Sequence, residues 1–200
     1  MIENLLLLNN ISSLGIFLLE IITVFHIVLL FALIFGSQET KLKIKNKIAQ
    51  NWNFKVKSLG IDSVERYLLG VIFVFSFVAS GMTLVYSEYF GVIPCALCWF
   101  ERIFMYGIVV LSATALWRKD DKFILPYILK FSILGAVISF YHHVLQMTAS
   151  TTSHLPCPAS GGDCAKRIIF EYGHITFPWM AFIIFVFLVT IILIERNYHK

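Results

Sequence analysis

Charge is what this 200-residue chain has least of: 14 % of its residues are Asp, Glu, Lys or Arg, against about 25 % in a soluble domain. With 58 % hydrophobic residues and a mean hydropathy of +0.81, that deficit excludes a soluble enzyme with a large core. It excludes a disordered chain as well, because such chains are polar and charged. Proline and glycine are too few for a collagen-like repeat. No glycine-rich flavin or nicotinamide signature, internal repeat or low-complexity segment occurs. The net charge of +4 does not call for nucleic acid, since membrane proteins concentrate Lys and Arg on one side. The length fits one domain with room for four or five spans of roughly 20 residues.

Five apolar runs fill that room: Leu14–Phe35, Tyr67–Tyr86, Trp99–Trp117, Phe123–Met147 and His174–Ile194. The first is too long for a signal-peptide core, and Met1–Ser13 carries only Glu3, so a retained span is expected. The class is therefore an all-α membrane protein. Twelve of the sixteen Lys and Arg residues lie in 37–66, 118–122 and the C-terminal tail. Alternating spans put those segments on one face. The positive-inside rule makes that face cytoplasmic, with the N-terminus and all four cysteines opposite. The basic stretch 37–66 reads as a topology-setting linker against anionic lipid, or an amphipathic surface helix. Asn10-Ile11-Ser12 matches a glycosylation triplet, a pattern that also arises by chance.

The four cysteines form two close pairs. Cys95-Ala96-Leu97-Cys98 follows Pro94 at the mouth of the third span. Unpaired N–H groups and a partial positive charge at a helix N-terminus stabilise a thiolate. The spacing sets both sulfurs near one face of a beginning helix, within disulfide reach. Arg102, one turn after Cys98, is expected to favour a Cys98 thiolate and to hold an electronegative ligand. Cys157 and Cys164 lie in the other outer loop with Pro158, Gly161 and Gly162 between them. A disulfide there would close a small exposed ring, open to attack by an outside thiolate. Three readings stand at this point. Two dithiols on one membrane face suit a relay, with one pair meeting a soluble partner and the other an acceptor in the bilayer. Two structural disulfides in a non-enzymatic scaffold are a second. A metal site of cysteines with His142, His143 or His154 is a third.

Pro94-Cys95-Ala96-Leu97-Cys98-Trp99-Phe100-Glu101-Arg102 resembles the P-C-x-L-C-[aromatic or aliphatic]-[aromatic]-[E/Q]-R motif of the DsbB family. The resemblance continues at Tyr141–Gln146, at Ala159–Ala165 and at Ile175-Thr176-Phe177-Pro178, and covers roughly 64–196. It implies a four-helix transmembrane redox domain, 64–200, with an additional span and basic cytoplasmic linker at 1–63. It implies a protein of the bacterial cytoplasmic (inner) membrane that reoxidises a DsbA-like periplasmic thioredoxin-fold partner and passes the electrons to quinone, ubiquinone or menaquinone. By the same resemblance the redox-active disulfides are Cys95–Cys98 and Cys157–Cys164. The partner attacks Cys157, Cys98 donates to the quinone, and Arg102 and His143 bind it. The seven-position spacing of Cys157 and Cys164 looks like the short-loop BdbC-type members. The family core does not require 1–63.

Other residues have plainer readings. Glu101 in the first helical turn suits the macrodipole. Glu20 and His26 interrupt the first span, where ionisable groups are functional candidates by default, although a helix–helix hydrogen bond accounts for them as well. His154 reads as solvated, and Trp99, Trp117 and Trp179 as interfacial anchors. The first span is expected to recruit a partner, dimerise the protein or set topology.

Overall fold

The computed structural model describes residues 2–36, 64–118, 121–148 and 164–198, together with 39, 42–44, 46–48, 50 and 51. Five long helices dominate: α1 (Ile2–Phe35), α2 (Val64–Leu84), α3 (Ala96–Arg118), α4 (Asp121–Thr148) and α5 (Phe177–Tyr198). Each is long and apolar enough to cross a membrane, and no strand element occurs among the described residues. Helices satisfy their own backbone hydrogen bonds, which a lipid environment cannot do for them. The protein is thus an all-α membrane protein with a four-helix core and one further N-terminal transmembrane helix. Apolar side chains such as Phe25, Val28, Phe77, Val110 and Val137 face outward, where lipid would cover them.

In the core α2 packs on α3, α3 on α4 and α4 on α5, and α5 returns to α2. Helix α1 docks chiefly on α5. Small residues allow these approaches. Ser76, Ser112 and Ser132 are fully buried mid-helix, and each hydroxyl donates to the carbonyl four residues earlier, Ile72, Ile108 and Ile128. Those three hydroxyls are thereby satisfied within their own helices. Two glycines act as notches. A Cβ on Gly107 would stand 2.7 Å from the Phe131 ring, and one on Gly135 would stand 2.5 Å from Phe185. The Phe185 ring is fully buried and has nowhere to retreat. Gly135→Ala is expected to destabilise the bundle by about 1–3 kcal/mol, the usual range for overpacking. Reversible unfolding in mixed micelles measures it, and an unchanged midpoint would contradict the fit described.

Several boundaries differ from the hydropathy reading. Helix α1 begins at Ile2 rather than Leu14, because its polar residues find partners. Ser13 donates to the Asn9 carbonyl at 2.6 Å, and Tyr86 donates to Asn9 Oδ1 at 2.8 Å. The triplet Asn10-Ile11-Ser12 therefore lies inside a helix. Helix α2 runs on into a π-helical turn, Val85–Tyr89. Before α5 the chain makes a tight turn in which Glu171 bridges Ile175 and Tyr172 and Gly173 take positive φ. Most of the basic linker, and Cys157 and His154, lie outside the described residues.

Candidate functional site

The chain alternates direction, so the start of α3, the end of α4 and the start of α5 meet at one end of the bundle. Cys95 occupies the position just before α3, where a helix leaves its first N–H groups unpaired. Its sulfur takes up that duty: the Cys98 N–H donates to Cys95 Sγ at 3.3 Å. The two sulfurs stand 3.0 Å apart as free thiols, Cys95 buried and Cys98 half-buried. The hydrogen bond with Cys98 holds the Cys95 thiol well below the ordinary cysteine range, helped by His142 and by the capping N–H and opposed by burial.

Arg102, expected from the sequence to favour a Cys98 thiolate, sets its guanidinium over the Trp99 ring, 5.4 Å from the centroid, and donates to the Thr83 carbonyl on α2 at 2.9 Å. The stabilising donors converge on Cys95. Ultraviolet titration of thiolate absorbance in a chain with Cys157 and Cys164 replaced by alanine is expected to place the Cys95 midpoint below the free-cysteine value of about 8.5. Cys98→Ala removes the largest stabilising contact, so the midpoint should rise. A midpoint that stays put would refute the assignment.

His142 joins the pieces. It is fully buried near the end of α4. Its Nδ1 meets a Glu101 carboxylate oxygen at 2.9 Å, and its Nε2 faces Cys95 Sγ at 3.7 Å and the Cys164 carbonyl at 3.2 Å. Gln146, one turn on, donates to the Lys166 carbonyl and so ties α4 to the segment after Cys164. Cys164 is disulfide-bonded, and it is buried in one cluster with Cys95, Leu145, Leu97 and Cys98. Glu101, read from the sequence as a macrodipole residue, is thus a partner of His142. No sequence signal pairs residues 41 positions apart on two helices.

His143 turns away from the cysteines. Its Nδ1 lies 3.0 Å from Thr176 Oγ1 and its ring 4.6 Å from Trp179. Trp179 is no simple interfacial anchor, for its indole N–H donates to Glu20 of α1. His26 hydrogen-bonds back to the Ile22 carbonyl at 2.7 Å.

Sγ of Cys95 and Cys98 and a ring nitrogen of His142 lie within 4.8 Å of one another, a donor set that metals use. A zinc tetrahedron with Zn–S of about 2.3 Å keeps its sulfurs about 3.8 Å apart. The 3.0 Å separation here is too short for that and suits sulfur–sulfur chemistry. Cys98, Glu101 and Arg102 also line an apolar cleft of about 660 Å³, within the size range of small-molecule sites.

Residues 65–194 match the family model described as Disulfide bond formation protein DsbB. The chain belongs to the DsbB family. Among the relatives of this DsbB-family chain, the SPbeta prophage-derived disulfide bond formation protein B of Bacillus subtilis (strain 168) is 36 % identical over 115 residues, 58 % of this chain and 76 % of that protein. Disulfide bond formation protein C of the same organism is 36 % identical over 107 residues, 54 % of this chain and 76 % of that one. A probable disulfide formation protein of Metapseudomonas resinovorans is 29 % identical over 130 residues, 65 % and 90 % respectively. No solved structure matches. Membership gives this multi-pass DsbB-family protein an oxidoreductase role in disulfide formation. The family match begins at residue 65, so α1 lies outside it.

Proposed function

We propose that the protein reoxidises a DsbA-like thioredoxin-fold protein on the extracytoplasmic face of a bacterial cytoplasmic membrane and delivers the electrons to ubiquinone or menaquinone. The observation that carries this reading is the burial of disulfide-bonded Cys164 against the Cys95–Cys98 pair, whose second sulfur borders an apolar cleft. Residues 64–200 form the redox domain, and 1–63 add a span and a basic cytoplasmic linker.

The relay balances as two thiol–disulfide exchanges. A partner thiolate attacks Cys157 of a Cys157–Cys164 disulfide and releases Cys164 as a thiolate. The partner's second thiol resolves the mixed disulfide, so the partner leaves oxidised and both chain cysteines are reduced. That pair next reduces a Cys95–Cys98 disulfide by attack at Cys95, which restores the outer disulfide. His142 receives the proton of the attacking thiol and returns one to the sulfur that is released, with Glu101 holding its ring in place. Cys95, stabilised as a thiolate at the helix start, is a good leaving group when the mixed disulfide breaks. Cys98 lines the cleft and is the exit for the electron pair. A quinone bound there supplies a two-electron, two-proton acceptor. The apolar walls fit its ring and tail, and Arg102 is the donor able to hold a carbonyl oxygen. His143, carried over from the family as a quinone contact, lies beside Thr176 and Trp179 at the start of α5.

Purified protein mixed with a reduced DsbA-like protein and a soluble quinone tests the reading, with thiol loss and quinone absorbance followed together. One quinone consumed per partner disulfide formed, and loss of both signals in Cys98→Ser and Cys157→Ser, is the expected result. Disulfides that resist the partner, with no quinone consumed, would leave a scaffold with structural disulfides as the better reading.

A further inference from the structure

We infer that helix α1 is a wall of the electron-acceptor site, enclosing the cleft that Cys98 and Arg102 line. This rests on the quinone reading above and extends it to a helix outside the family match.

The cleft runs between α1 and α2 over α5. Gly15 and Ile22 of α1, Val78 and Met82 of α2, and Cys98 and Arg102 of α3 are among its lining residues. An apolar span needs only lipid to hold it in a membrane, yet α1 is fastened to the core at three points. Tyr86 in the π-helical turn donates to Asn9 Oδ1 at 2.8 Å and lies 3.2 Å from the Ser12 hydroxyl. Phe17 stacks on Tyr172 with ring centroids 5.7 Å apart, and Tyr172 holds a positive φ of 50°, a conformation a non-glycine residue adopts at a cost. Glu20 accepts the Trp179 indole N–H and lies 3.4 Å from His174 Nε2. A carboxylate within a span calls for a reason; here it fixes the rotation of α1 about its axis. That rotation turns Gly15 toward the cleft, where a Cβ would meet nothing within 4 Å. A glycine here leaves room for a ligand, where any larger residue would take it. The opposite face, including Val28, is exposed and is left for lipid.

The chemistry of the cleft lining points to the occupant. A cation and a redox sulfur in that lining suit a quinone ring, and the apolar walls suit its isoprenoid tail. A phospholipid acyl chain would use the walls but not Cys98.

The full chain in nanodiscs tests this with a photoreactive azido-ubiquinone and, in parallel, a photoreactive phospholipid. Labelled peptides from 11–22 are expected with the quinone probe, together with peptides of α2 and α3. Gly15→Trp should abolish the α1 label and raise the KM for ubiquinone-1 at least tenfold, while disulfide exchange with the reduced partner in the absence of quinone keeps its parental rate. Val28→Trp, which places the same indole on the lipid face, should behave as the parent. Quinone label confined to the core helices, or a parental KM in Gly15→Trp, would overturn the inference while leaving the quinone reading standing. Lipid label on 11–22 without quinone label would make the cleft a lipid site and overturn it too. A parent protein that neither binds nor reduces quinone would refute the proposed function and this inference with it.

Discussion

His142→Asn is expected to slow electron transfer between the two cysteine pairs by about 10²–10⁴-fold, the range that a positioned acid–base contributes. Each exchange brings in one sulfur as a thiolate and releases another, so a proton must be taken up and returned beside Cys95. Among the described residues, the imidazole of His142 faces Cys95 Sγ and the Cys164 carbonyl from one nitrogen and Glu101 from the other. Asparagine keeps a donor for Glu101 and loses the reach toward Cys95. That choice matters, because removing the partner of a buried charge outright costs about 3–5 kcal/mol and would confuse a folding defect with a chemical one. Acid quenching and alkylation after mixing with reduced partner would count the thiols of each pair over time. The outer pair should reduce at the parental rate and the inner pair late. Inner-pair reduction within threefold of the parent would remove His142 from the relay. Glu101→Gln should fall between the two, since it loosens the imidazole without deleting it.

Arg102→Met is expected to lower quinone reduction by about 10²–10³-fold, the usual loss when one donor to a developing oxyanion is removed, with partner exchange unaffected. The guanidinium spends one donor on the Thr83 carbonyl at 2.9 Å and rests over Trp99. Its planar fork has further N–H groups to offer toward the cleft. Lysine has no such fork, so Arg102→Lys should recover little. Stopped-flow absorbance of the quinone, begun from chemically reduced protein, isolates this step from the partner. An equal loss in partner exchange would mean that Arg102 serves only to join α2 to α3.

The membrane spans were legible in the sequence because hydrocarbon leaves few alternatives to a long apolar helix. The start of α1 was not. Asn9, Ser12 and Ser13 read as an aqueous segment, but Tyr86, 74 or more positions away, satisfies two of them. The helix-mouth position of Cys95 and Cys98 was legible from Pro94 and the spacing. Which sulfur collects the stabilising donors was not, because that turns on the capping geometry of Cys95 and on the rotamer that takes Arg102 to Thr83. The same limit hid the Glu101–His142 pair and left His142 and His143 indistinguishable, since adjacent residues on a helix point about 100° apart and only packing says which faces inward. The docking face of α1 was invisible for a simpler reason: a helix apolar all round carries no stripe to read.

The ring-in-notch seats of Phe185 over Gly135 and Phe131 over Gly107 act as dowels. Sliding α4 by one residue would move its side chains about 1.5 Å along the axis and about 100° around it, and would drive each ring into backbone or a neighbouring side chain. His142 lies two turns beyond Gly135 on the same helix, so these seats gauge its 3.7 Å approach to Cys95. Rate and fold are therefore tied at sites remote from any sulfur. A side chain at either glycine would leave every redox residue in place in the sequence and still detune the distance at which a proton changes hands.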